Sequence, residues 1–209
     1  MTLLTLGLNH KTAPVDIRER LTFGPDIIVA ALRGLREQQG VDEALVLSTC
    51  NRTELYCSCS DTTDDTLPDW LCRFHALQRE ALQPHLYTHL DGEAVRHMLR
   101  VASGLDSLVL GEPQILGQMK ACYQQASDAG TLDSLVNRLF QHTFQVAKQV
   151  RTDTAIGASP VSVAFAAVSL ARQIFGEFRN HTALLIGAGE TIELTARHLH
   201  EHGIGQIII

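Results

Sequence analysis

Residues 44–60, ALVLSTCNRTELYCSCS, decide how the front of this chain is read. Residues 44–48 (ALVLS) form a short apolar run with strand character, and TCNRTE (49–54) is polar and turn-like. LYCSCS (55–60) alternates and reads as a second strand. Strand, polar turn, strand puts Cys50 at the tip of a small sheet. A cysteine in a polar turn beside Arg52 is a candidate reactive thiol, because nearby positive charge favours the thiolate, which is the nucleophile. The competing reading is a small packing residue, as most free cysteines are. That plainer reading is preferred for Cys57 and Cys59, which share one face of the second strand.

Outward from this stretch, residues 3–9 (LLTLGLN) read as a first strand. Pro25 opens a helical pattern with Ile28, Ala31, Leu32 and Leu35, ending near Gly40. Residues 60–66 are a polar loop, and a helix around Trp70 follows. Asp91 is a plausible N-cap for a helix carrying Val95, Met98, Leu99 and Ala102, closed by Gly104. Pro113 suits the first position of the next helix, which runs to Gly130. Thr131 or Asp133 opens another, with Leu135, Leu139, Phe140, Phe144 and Ala147 on one side. A further apolar helix covers about 161–178. The end, TALLIGAGETIELTARHLHEHGIGQIII (182–209), reads as strand, glycine turn, helix, strand, the opening of a dinucleotide-binding fold.

The expected fold class is therefore an α+β N-terminal domain, a small antiparallel sheet with helices and then a helical segment. The start of an α/β Rossmann-type domain follows. The boundary is expected near residue 155, giving domains 1–155 and 156–209. The chain stops at the second strand of the nucleotide fold, so the second domain is expected to be incomplete. This suggests a fragment or an interrupted reading frame, with an apolar edge prone to aggregation.

Composition narrows the classes. The 209 residues are 45% hydrophobic and 19% charged, with a formal net charge of −6. That is an ordinary globular composition, and general affinity for phosphate backbones is not indicated. No apolar run reaches the roughly 18 residues of a membrane span, and no signal peptide is legible. The five cysteines include no C-x-x-C, which argues against a disulfide framework or structural zinc and for a cytoplasmic setting. His198, His200 and His202 read as a solvated helix end, and no metal site is expected.

Four blocks occur in one order: GLNHKTAPVDIRERLTF (7–23), LSTCNRTELY (47–56), SGLDSLVLGEPQILGQMK (103–120) and GAGETIELTARHL (187–199). Together they resemble the glutamyl-tRNA reductase family. The resemblance implies NADPH-dependent reduction of glutamyl-tRNA(Glu) to glutamate-1-semialdehyde, the first step of tetrapyrrole synthesis by the five-carbon route. It makes residues 1–155 the catalytic, glutamyl-tRNA-binding domain and 156–209 the beginning of an NADP-binding domain. It implies Cys50 as the nucleophile that forms a thioester, and His97 as a second catalytic residue, acting as acid or base or by fixing the site.

Thr49, Asn51 and Arg52 match the family's substrate-binding turn, with Arg52 suited to a glutamyl carboxylate. Without the match, Arg52 would read as a surface ion pair. Glu54 either orients Arg52 or begins the next strand. Ser107, Glu112, Pro113, Gln114 and Gln118 match a second substrate-binding stretch. Glu112 could take the α-ammonium group, or Glu112 and Gln114 could cap a helix. His97 alone would read as a core or boundary histidine. Gly187, Ala188, Gly189, Glu190, Thr191 and Ile192 match the cofactor-binding turn. Ile192 departs from the usual Gly or Ala, which is expected to loosen or shift helix–sheet packing. NADPH rests on the resemblance, since no residue in the chain selects it over NAD.

The family also implies a homodimer through a C-terminal region absent here, and handover of product to a downstream aminomutase. As a 209-residue chain the molecule is not expected to complete the reduction. The alternative is a chain that only binds or hydrolyses glutamyl-tRNA.

Overall fold

The computed structural model describes residues 1–60, 65–157 and 162–209. The polar loop expected at 60–66 falls mostly on residues 61–64, outside the described residues, as does the start of the helix expected at 161–178. The elements are β1 (Thr2–Asn9), α1 (Val15–Arg20), α2 (Ile28–Arg36), β2 (Val41–Ser48), β3 (Arg52–Cys59), α3 (Thr66–Phe74), α4 (Arg79–Leu82), β4 (Tyr87–Leu90), α5 (Asp91–Ala102), α6 (Gln114–Asp128), α7 (Ser134–Asp153), α8 (Val163–Phe175), β5 (Thr182–Leu184), α9 (Glu190–Glu201) and β6 (Gln206–Ile208).

The first four strands form an antiparallel sheet in the order β2-β3-β1-β4. β2 and β3 are a hairpin closed at residues 49–51, with Ser48 opposite Thr53. Leu6, Leu8, Val46, Leu55 and Cys57 are all buried in one core with Ile28, Ala31, Leu32 and Leu35 of α2. On the face carrying Glu54 and Tyr56, α7 brings Phe140 edge-on to Tyr56, with ring centroids 5.5 Å apart. No helix among the described residues is long and apolar enough to cross a membrane.

Several expectations need correction. β3 begins at Arg52, not Leu55, because Arg52 pairs with Asn9 at the end of β1. The run from 60 to 180 is mostly helical among the described residues, as expected, but β4 adds a fourth strand at 87–90. The short helix α1 was also not anticipated. Asp91 is not the N-cap of α5. Leu90 holds that position, and Asp91 lies in the first turn with φ +43° while its carboxylate accepts from the Leu3 N–H at 3.0 Å. Pro113 is the residue before α6 rather than its first. The buried stripe of α7 is Val136, Phe140, Thr143 and Ala147, leaving Leu135 exposed. Asp133 precedes α7 but makes no side-chain cap. The buried Glu43 of β2 does that work across the chain, accepting from the N–H groups of Asp133, Leu135 and Val136 at 2.7–3.0 Å. A carboxylate there meets orphan helix donors and the positive end of the helix dipole.

One glycine controls the middle of the sheet. Gly7 of β1 stands opposite Glu54 on one side and Tyr87 on the other. A Cβ at Gly7 would lie 2.7 Å from the Glu54 Cγ and 2.7 Å from the Thr53 carbonyl oxygen. Gly7 thus clears the space in which a row of polar side chains meets across three strands. Gly7→Ala is expected to destabilise the fold by about 1–3 kcal/mol through overpacking. A urea midpoint equal to wild type would contradict this.

The C-terminal part has its own small core of Val168, Phe178 and Leu199. β5 and β6 pair in parallel, and α8 packs on α9. Ile192 does not leave a gap. Its Cγ1 would lie 3.4 Å from a Cβ at Gly187, so the side chain packs against the glycine turn.

Candidate active site

The β2–β3 turn is built by Thr49. Its hydroxyl accepts from the N–H groups of Asn51 and Arg52 at 3.2 and 3.1 Å, and its own N–H bonds to the Arg52 carbonyl at 2.8 Å. A threonine that closes a turn on itself is a stiff mount. Arg18 of α1 braces it from outside, donating to the Cys50 carbonyl at 2.7 Å and to Asn51 Oδ1 at 3.1 Å. Cys50 is exposed at the tip, whereas Cys57, Cys59, Cys72 and Cys122 are buried.

Thr49, Cys50, Asn51, Arg52, Ser107, Glu112, Gln114 and Gln118 all line one cavity of about 280 Å³. Gln114 and Gln118 are one turn apart on α6, so both reach the same side. Residues 104–111 form a loop closed where the Gly111 N–H meets the Gly104 carbonyl at 3.0 Å. Arg151 ties the loop down by donating to the Gly111 carbonyl at 2.8 Å. Burial pushes the Glu112 carboxyl up, and a backbone hydrogen bond from Val163 partly offsets this.

A second cavity of about 300 Å³ adjoins the first and shares Glu112, Gln114, Val163 and Thr191 with it. Pro113 and Glu190 line only the second. The thiol-bearing turn and the start of α9 therefore open onto neighbouring spaces. At the glycine turn, Gly187 has φ +129°, a conformation that side chains rarely adopt. Nothing lies within 4 Å of a Cβ built on Gly189. This open backbone at a helix N-terminus fits a pyrophosphate. Among the described residues, no group of three or more His, Cys, Asp or Glu side chains could hold a metal ion.

Arg52 is not the free surface fork that its sequence position suggests. It is 2% exposed and gripped by two acids. One terminal nitrogen donates to Glu54 Oε1 at 2.6 Å; the other donates to the Asp106 carbonyl at 2.6 Å and its carboxylate at 3.1 Å. Asp106 in turn meets Lys11 Nζ at 2.5 Å and Asn9 Nδ2 at 3.4 Å. Burial raises the Asp106 carboxyl, but hydrogen bonds from Lys11 and Arg52 bring it below its usual range.

Glu54 is the hub. Fully buried, it receives Arg52, Tyr87 Oη at 2.5 Å and His97 Nε2 at 2.9 Å on Oε1, and Tyr56 Oη on Oε2. Burial alone would raise its carboxyl; Arg52 and the His97 hydrogen bond outweigh that and hold it at about 2. A carboxylate that accepts several donors stays ionised even when buried. Both tyrosines are pushed well above the usual phenol range, first by burial and next by Glu54, so they remain donors.

His97 faces this hub and is not among the residues lining the Cys50 cavity. Of the residues expected from sequence, His97, Gly187, Ala188, Gly189 and Ile192 line neither cavity; His97 is joined to Arg52 through Glu54. Asp106, Tyr56, Tyr87 and Lys11 were not anticipated. Arg52, Glu54 and Tyr56 alternate along β3, so a strand starting at Arg52 would have placed all three on one face. Asp106 directly precedes Ser107. Tyr87 had no such signal, because β4 was not recognised.

Known proteins match this arrangement. The family described as the glutamyl-tRNAGlu reductase N-terminal domain matches residues 6–154, and shikimate/quinate 5-dehydrogenase matches residues 169–209. Glutamyl-tRNA reductases of Alkalilimnicola ehrlichii and Nitrosococcus oceani are 62% and 61% identical over 209 residues, all of this chain. The alignments take in 47% and 50% of those proteins, so the chain spans about half the length of the curated relatives it matches. The solved glutamyl-tRNA reductase from Methanopyrus kandleri aligns with a TM-score of 0.69 at 33% identity, over 98% of this chain and 48% of that one. The fold is that of the family's N-terminal sheet domain followed by the start of a dehydrogenase nucleotide domain, and the chain belongs to the glutamyl-tRNA reductase family.

Proposed function

We propose that this chain carries the acyl-transfer site of an NADPH-dependent glutamyl-tRNA reductase, which forms glutamate-1-semialdehyde for tetrapyrrole synthesis. The observation that supports it most is the single cavity shared by Cys50, the Thr49–Arg52 turn and the Ser107–Gln118 stretch. The Cys50 sulfur attacks the carbonyl carbon of the glutamyl ester. The carbon–oxygen bond to the tRNA ribose breaks, the thiol proton ends on the ribose oxygen, and a thioester remains on Cys50. Covalent catalysis of this kind splits a hard step into two easier ones.

Arg52 binds the glutamyl side-chain carboxylate through its charge and the N–H groups that Glu54 and Asp106 leave open. Glu112, lining the same cavity, takes the α-ammonium group, and Gln114 and Gln118 supply neutral hydrogen bonds. Thr49 and Asn51 keep the turn rigid. His97 acts through Glu54 on Arg52 and not on the thiol itself. Gly187–Ile192 would hold the pyrophosphate of NADPH, which supplies the hydride when bound. Thr191 of that turn lines both cavities, the Cys50 cavity included.

The test is transfer of labelled glutamate from glutamyl-tRNA to the protein. The expected label survives denaturation, is released by hydroxylamine and is absent from Cys50→Ala. Folded protein that takes up no such label would leave binding without chemistry as the better reading.

A further inference from the structure

Glu54, Gly7 and Tyr87 stand side by side on β3, β1 and β4. The absent side chain of Gly7 leaves a gap in that row, and the Tyr87 hydroxyl crosses it to reach Glu54 Oε1 at 2.5 Å. This is the same oxygen that holds Arg52 at 2.6 Å. Tyr56 binds the other oxygen, Oε2. The two tyrosines are thus chemically alike and geometrically distinct. Tyr87 also packs edge-on against His97, centroids 5.4 Å apart, and beside His89 at 5.3 Å. It fixes both the third donor to Oε1 and the ring that supplies it.

A carboxylate offers about four acceptor directions, and Oε1 is crowded with three donors. Removing one lets the other two move on that oxygen. The Tyr87 hydroxyl also draws charge from Oε1, so the Arg52 guanidinium is less fully neutralised and keeps more attraction for an anion in the cavity. We propose that Tyr87 is a positioning residue: its hydroxyl sets the Glu54 oxygen that aims Arg52, and so sets selectivity for a glutamyl over a glutaminyl donor. The inference rests on the reading of Arg52 as the carboxylate-binding group.

The test compares single-turnover acylation of Cys50 by glutamyl-adenosine and glutaminyl-adenosine esters, which differ only at the side-chain terminus. Tyr87→Phe keeps the ring and is expected to lower the preference for the glutamyl ester about tenfold. Tyr56→Phe loses a hydrogen bond to the same carboxylate but on Oε2, and is expected to hold the preference within about twofold. Tyr87→Leu, which removes the hydroxyl and the ring contact with His97 together, should lower the preference at least as much as Tyr87→Phe. If the Tyr87 variants slow both esters equally, or Tyr56→Phe erodes the preference as much, Tyr87 is structural only and the proposal is overturned. Arg52→Gln, which removes the charge, separates the two ideas. Should that variant keep the preference, the reading of Arg52 has failed and this proposal with it. Should it lose the preference while Tyr87→Phe retains it, only the role of Tyr87 has failed.

Discussion

Glu54→Ala is expected to cost about 3–5 kcal/mol of folding stability, the range for breaking a buried ion pair from one side. The reason lies in what remains. Arg52 would keep its charge at 2% exposure, with Asp106 as its one remaining carboxylate partner within the hub. The hydroxyls of Tyr56 and Tyr87 and His97 Nε2 would lose their shared acceptor. Glu54→Gln should cost less, because the amide oxygen still accepts hydrogen bonds. The same group predicts an acid response. Its folded value of about 2 lies below the ordinary 4.5, so the stabilisation is fully present above about pH 4.5 and is lost as pH falls through about 2. Urea unfolding at several pH values checks both points. Glu54→Gln should flatten that acid limb, and an unchanged slope would count against the hub.

Arg52→Lys carries the second large effect. Single-turnover acylation from glutamyl-tRNA is expected to fall about 100-fold, the scale on which misplacing a substrate by a small distance acts. Lysine keeps the charge, so a point charge alone would predict little change. What it lacks is the fork. Arg52 spends one terminal nitrogen on Glu54 and the other on Asp106, so its plane is fixed before any substrate arrives. A flexible ammonium cannot span both acids and present a planar face as well. Quenched-flow measurement of the acylated protein decides it, and a loss of less than about threefold would mean that geometry at this position matters little.

Much of this was legible in the sequence because local signals agreed with the fold. The strand–turn–strand reading of residues 44–60 places Cys50 at an exposed tip, where it is found. The blocks at 47–56 and 103–120 come together in one cavity. The apolar stripe Ile28, Ala31, Leu32, Leu35 is buried as a helix face. What escaped was polar and long-range. β4 is four residues with alternating exposure at a sheet edge, too short to show a period, and so Tyr87 could not be placed. Asp91 looks like a cap, yet its carboxylate is used by a strand 88 residues away. Glu43 does the capping of α7 from β2, a pairing set by packing and not by neighbours in sequence. Arg52 carried the right signal but the wrong surroundings: its neighbours in sequence suggested a surface turn, and Asp106 was 54 residues away.

The central claim is that Cys50, mounted on the Thr49 turn, takes the glutamyl group. The most direct measurement is mass spectrometry of peptides after one turnover with glutamyl-tRNA, quenched in acid. The account predicts one glutamyl adduct, on Cys50, with Cys57, Cys59, Cys72 and Cys122 unmodified, and no adduct in Cys50→Ala. A glutamyl group on any other side chain, or turnover at the wild-type rate by Cys50→Ala, would contradict it.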